Sequence, residues 1–210
     1  MIRFSILSLL FLFFLTPSLF SQQKHAIVVA VGDYPEVEGR KPWKDLSSLN
    51  DVELVKKMLT DQEFPEENIS YLLDEDATVE NLDAAFEKLN STIGPGDIIY
   101  FHYSGHGQQV ADVNGKKLKR KNKLRKDETD GLDEALALYN SPMRFEKKYE
   151  YQDHYIDDQL NDQITRIREA IGKEGQVVVV IDACHSGSAT RGDDEPNVRG
   201  IDEPCAPDNW

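Results

Sequence analysis

Two short segments carry the residues most able to do chemistry: Tyr-Ser-Gly-His-Gly at 103–107 and Asp-Ala-Cys-His-Ser-Gly at 182–187. A thiol and an imidazole brought together make a nucleophile and its base. The thiolate attacks, while the imidazole lowers the thiol pKa and later protonates a leaving amine. His106 and Cys184 are the pair this chemistry needs. Gly107, directly after the histidine, lets a backbone N–H approach a substrate carbonyl. With the N–H of Cys184 it can form an oxyanion hole, worth roughly 3–4 kcal/mol per donor in other enzymes.

Each segment follows an apolar, β-prone run, residues 97–102 and 176–181. Such runs between helical patterns read as buried strands of a parallel sheet. Open α/β sheets collect their ligands beyond the carboxyl ends of strands, where both segments would then lie. The rest of the chain supplies the frame. Residues 25–32 read as a strand closed by Gly32. Leu46, Leu49, Val52, Val55, Met58 and Leu59 recur at helical spacing up to Pro65. Residues 69–73 read as a short strand, and Thr78 as the N-cap of a helix with Val79, Leu82, Phe86, Leu89 and Ile93 on one face. Residues 108–131 lose periodicity and read as a long charged excursion. A short strand is expected at 135–139 and a third helix along Ile156, Leu160, Ile164, Ile167 and Ile171. Beyond Gly187 nothing is periodic. The order β-α-β-α-β-(β)-α-β predicts an α/β fold, a three-layer sandwich with a mainly parallel sheet. A sheet of this kind wants further strands after the one bearing Cys184, so the expected fold is either truncated there, as part of a longer protein, or has its edge covered by something else.

The chain has 210 residues, enough for one domain. Residues 1–21 read as a signal peptide: Arg3 supplies the charged start, 4–20 is almost wholly apolar, and Ser21 is a small exit residue. The alternative is a retained membrane anchor, against which Pro17 and the brevity of the apolar run argue. The expected location is secreted or periplasmic, with membrane contact only through the uncleaved signal. The domain is expected over 22–190 and an irregular tail over 191–210. The formal charge is −14, from 24 Lys+Arg and 38 Asp+Glu. So acidic a chain repels phosphate backbones, which makes nucleic acid a poor partner and basic peptides or divalent cations better ones. Residues 116–126 are a basic island within this acid, which by itself reads as a solvated loop. Cys184 and Cys205 are the only cysteines. In an oxidising compartment they offer the alternative of a structural disulfide.

The two segments resemble the paired motifs of the caspase-like cysteine peptidases, specifically the metacaspase branch, over residues 25 to 190. The true caspases' Gln-Ala-Cys string is absent, so cleavage after Asp is not implied. The resemblance implies a cysteine endopeptidase of bacterial, secreted type that cuts after Arg or Lys. By the same resemblance an acidic pocket selects the basic residue, and its matching positions are Asp51, Ser104 and Asp182. A carboxylate at a pocket base favours a cationic side chain by charge pairing. In a strand, Asp182 shares a face with Cys184. The family's activating Ca²⁺ is matched by Asp157 and Asp158, and the acidic segment 127–134 adds Asp130 and Asp133. Hard oxygen donors suit that ion, but Asp157 and Asp158 equally suit the first turn of a helix. A further family ligand, seven residues past the cysteine, is Arg191 here. No cofactor is required for the chemistry, and calcium is expected only as an activator. If the specificity is basic, the island at 116–126 becomes a site of self-cleavage. The competing readings are an inactive remnant or peptide-binding module of the same fold, and a metal-binding protein using His102, His106, Cys184 and His185.

Overall fold

A computed structural model describes residues 22–40, 42–111, 131–146, 149–183 and 203–207. A four-stranded parallel sheet runs through its centre in the order β2-β1-β3-β7. Its strands are β1 (Lys24–Ala30), β2 (Ile69–Leu73), β3 (Ile98–Ser104) and β7 (Gln176–Asp182). α1 (Ser48–Asp61) covers one face; α2 (Val79–Thr92) and α3 (Asp157–Ile171) cover the other. The strand side chains sort by alternation. Ile27, Val29, Ile99, Phe101 and Tyr103 pack with Leu82, Phe86, Leu89, Ile164, Ile167 and Ile171. Ala26, Val28 and Tyr100 pack with Val55 and Leu59 of α1. These are the apolar positions whose spacing marked the helices. Thr78 caps α2 as expected, its Oγ1 accepting from the Asn81 N–H at 3.2 Å. α3 is capped by the Gln159 side chain, which accepts from the Ile156 N–H at 3.2 Å.

Three expectations are corrected. The stretch after His106 does not open directly into an excursion: β4 (Gly107–Ala111), β5 (Leu132–Ala137) and β6 (His154–Ile156) form a second, antiparallel sheet. Its strands are short and rich in Gly, Ala, Gln and charge, so neither a period-2 pattern nor β-branching reveals them. β5 also begins and ends earlier than the expected 135–139. Lastly, the valine run of β7 is not enclosed. Val178, Val179, Val180 and Ile181 are all exposed, because β7 ends the sheet among the described residues and α3 shields only part of one face.

Cys205, expected in an irregular tail, is fully buried and bridges Val110 in parallel. The Cys205 N–H donates to the Gln109 carbonyl at 2.8 Å. Its thiol is free, so the disulfide alternative does not hold. Burial pushes that thiol up to about 12 by disfavouring the thiolate.

Candidate functional site

The β3–β7 register is the starting point, with Ser104 directly opposite Asp182. Two residues past each come His106 and Cys184, so both motifs leave the sheet at the same edge. Cys184 itself lies outside the described residues. The Gly105 N–H still reaches the Asp182 carbonyl at 3.3 Å, which keeps the two chain segments together one step beyond the strands. Gly105 has to be glycine. A Cβ there would stand 2.5 Å from the Tyr103 hydroxyl and 3.2 Å from that of Tyr34.

Those two tyrosines fix the histidine backbone. Tyr103 Oη donates toward the His106 carbonyl (2.7 Å) and the Ala137 carbonyl (2.8 Å). Tyr34 Oη accepts from the His106 N–H at 3.1 Å and lies 2.9 Å from the Ala137 carbonyl. The Ala137 N–H donates to the His106 carbonyl at 3.0 Å. The ring is held as firmly. It stacks on Trp43, with centroids 4.7 Å apart and planes at 21°, and tilts against Tyr34 at 5.2 Å. Trp43 is in turn anchored by its Nε1–H to the Ser141 carbonyl at 2.7 Å. His106 Nε2 lies 2.7 Å from the Lys44 carbonyl. A carbonyl only accepts, so Nε2 carries the proton and Nδ1 is the basic nitrogen. His106 is 1% exposed. Tyr34, Trp43 and Lys44 escape the sequence reading because they sit in a polar loop without periodicity. The one available signal is a pair of large aromatics where a loop would ordinarily be small and polar.

On the α1 face of the same edge, Ser104 Oγ donates to Asp51 Oδ2 at 2.6 Å. Ser104 is fully buried, and Asp51 stands in the first turn of α1. Asp182 shares that face through its pairing with Ser104. The three positions expected to form an acidic pocket are thus neighbours, joined by one hydrogen bond and one strand register.

The carboxylates expected to hold calcium are partly gathered. β5 pairs with β6 so that Ala135 faces Ile156; continuing that register brings Asp133 beside the start of α3, where Asp157 and Asp158 occupy the first turn. Asp133 is buried. Among the described residues, however, no three His, Cys, Asp or Glu side chains come together closely enough to hold an ion. Asp130 lies outside the described residues, so the described members of that set are Asp133, Asp157 and Asp158. Of the alternative metal-binding tetrad, His102 and His106 are the members among the described residues. His102 stacks on Tyr100 within the sheet, and His185 lies outside the described residues, as does the basic island 116–126. No helix among the described residues is long and apolar enough to cross a membrane.

Comparison with known proteins agrees with this architecture. The sequence model of the family described as metacaspase, peptidase C14 domain, matches residues 24–191. Metacaspase-2 of Arabidopsis thaliana is 31% identical over 175 residues, covering 79% of this chain and 35% of its own length. Metacaspase-1 of Eremothecium gossypii is 31% identical over 148 residues, 67% of this chain and 28% of its own. A crystal structure of a Geobacter sulfurreducens protein superposes with a TM-score of 0.57 at 26% identity, covering 79% of this chain and 52% of the other. The fold is that of a caspase-like α/β sandwich, and the chain belongs to the metacaspase family. It spans about a third of the length of these two curated relatives.

Proposed function

We propose that the protein is a cysteine-type endopeptidase that hydrolyses peptide bonds after Arg or Lys. The observation that carries this reading is the pairing of Ser104 with Asp182, which brings His106 and the segment leading into Cys184 to one edge of one sheet. Cys184 is the nucleophile. Its sulfur forms a bond to the substrate carbonyl carbon and the carbonyl oxygen takes up the negative charge, met by the N–H groups of Gly107 and Cys184. His106 first receives the thiol proton at Nδ1 and then delivers it to the leaving amine as the C–N bond breaks. Water then attacks the thioester, losing its proton to the same nitrogen, and the thiolate departs. The Lys44 carbonyl holds Nε2–H throughout and thereby supports the imidazolium that forms midway. Asp51 and Asp182, tied through Ser104, bind the basic side chain on the acyl side of the scissile bond. These steps use the thiol, the imidazole and backbone N–H groups alone.

The substrates in this reading are proteins or peptides with basic residues, which suit the acidic surface of the chain. The apolar segment 4–20 after Arg3 supports export, so the enzyme acts outside the cytoplasm. The test is hydrolysis of a fluorogenic peptide ending in Arg. Turnover that disappears in Cys184→Ala and His106→Ala and does not respond to zinc chelation is expected. A folded protein whose Cys184 neither turns over substrate nor reacts with an iodoacetyl-Arg probe would favour the inactive peptide-binding reading.

A further inference from the structure

Behind the acidic cluster, on the other face of the sheet edge, lies a cavity of ≈ 200 Å³. Its walls include Gly107, Leu136, Tyr155, Leu160, Ile181 and Ala183, with the carboxylates Glu134 and Asp157 among the remaining lining groups. Two of these walls touch the catalytic positions in sequence: Gly107 follows His106 and Ala183 precedes Cys184. Ile181 neighbours Asp182 in β7 and so faces the other way, and Ala183, just past the strand, packs against the cluster under α2 and α3, so the cavity and the acidic cluster lie on opposite faces.

We propose that this cavity receives the side chain of the residue immediately after the scissile bond, and that it selects an aliphatic residue there. The inference rests on the peptidase reading above. An extended peptide alternates its side chains. If the basic residue points to Asp51 and Asp182, its neighbours on either side point to the opposite face, where the cavity is. Which neighbour enters is decided by the histidine. His106 protonates the leaving amine, so the leaving half of the substrate passes over His106 and Gly107, and Gly107 lines the cavity. The walls of Leu, Ile, Ala and Tyr side chains favour an apolar occupant, while Glu134 and Asp157 disfavour an acidic one. The size suits a branched aliphatic side chain better than no side chain at all.

The test uses the full chain and internally quenched peptides with Arg fixed and the next residue varied through Gly, Ala, Leu, Ile, Phe and Asp. Leu or Ile is expected to exceed Gly in kcat/KM by at least about tenfold, with Asp the poorest. Ile181 is 44% exposed, so it can be exchanged without unfolding the domain. Ile181→Phe narrows the cavity and is expected to move the preference toward Ala and Gly; Ile181→Ala widens it and is expected to move the preference toward Phe. Cleavage after Arg at equal rates across the series, in wild type and both variants, overturns the inference while leaving the peptidase reading intact. So does selectivity confined to the residue before Arg. Failure to cleave any Arg or Lys peptide overturns the peptidase reading and this inference with it.

Discussion

Replacing Asp51 with Asn separates charge from shape at the proposed specificity site. The Asn side-chain oxygen can still accept the Ser104 hydroxyl that now reaches Asp51 at 2.6 Å, so the local packing is kept and one negative charge is removed. Two unit charges 4 Å apart interact by about 4 kcal/mol at an effective dielectric of about 20. Asp51 is only half-buried, so water screens part of this, and a loss of roughly 2–3 kcal/mol of transition-state binding is expected. That is roughly a 30- to 150-fold fall in kcat/KM for an Arg peptide. Citrulline has nearly the shape of Arg without its charge, so kcat/KM for the matching citrulline peptide is expected to change by only a few fold. The Arg-to-citrulline ratio is therefore the readout. Asp51 also stabilises the α1 N-terminus, a contribution of about 0.3–1 kcal/mol that lowers stability but affects both substrates alike. An unchanged ratio, or an equal loss for both peptides, would refute the assignment of Asp51 to a cation pocket.

Two further outcomes probe the second sheet. Native protein treated with iodoacetamide is expected to gain one adduct, at Cys184, because the Cys205 thiol is buried against Val110 and its pKa is raised; denaturant should expose a second. Two adducts under native conditions would contradict the docking of residues 203–207. His154 is buried and its pKa is lowered to about 3 by loss of hydration. It stays neutral in the fold while the unfolded chain takes up a proton below about pH 6.5, so stability falls with falling pH over that window, approaching about 1.4 kcal/mol per pH unit. Burial lowers the pKa of His25 as well, which acts in the same direction. Urea unfolding at pH 7.5 and 5.5 is expected to show His154→Gln losing about 1 kcal/mol less than wild type over that interval; identical losses would mean that the imidazole is hydrated.

What the sequence disclosed follows from where burial is periodic. Leu82, Phe86 and Leu89, or Leu160, Ile164, Ile167 and Ile171, repeat at helical spacing because each helix has one face on the sheet. The strands of the parallel sheet stand out because both faces of β1 and β3 are covered. The small sheet was illegible for the converse reason. β4 is Gly-Gln-Gln-Val-Ala, and its Gln108 is buried for its amide rather than for apolar area. That amide donates to the Met143 and Glu203 carbonyls, and its oxygen meets His154 Nε2 at 3.1 Å. Polar burial of this kind has no hydropathy pattern. The cluster of Asp51 and Ser104 was reached through the family resemblance; the bracing of His106 by Tyr34, Trp43 and Lys44 was not, since loop residues that act through a ring face or a backbone carbonyl leave no motif.

That bracing explains why the histidine sits at the joint between the two sheets rather than on a strand. A strand residue has both backbone groups committed to neighbouring strands, and its side chain points up or down, not outward past the edge. His106 lies between β3 and β4, where the chain leaves the parallel ladder and enters the antiparallel one. Its N–H goes to Tyr34, its carbonyl to Ala137 and Tyr103, and its ring nitrogen to Lys44. Three segments, the loop 34–44, β3 and β5, thus converge on one residue, the loop holding the ring and the two strands holding its backbone. In the proposed reaction the acid–base group must stay within hydrogen-bond reach of two partners in turn, the sulfur and the leaving amine. A joint clamped from both sides supplies that fixed position, and the short second sheet, stabilised by Gln108, His154 and the docked Cys205 segment, is what closes the clamp from below.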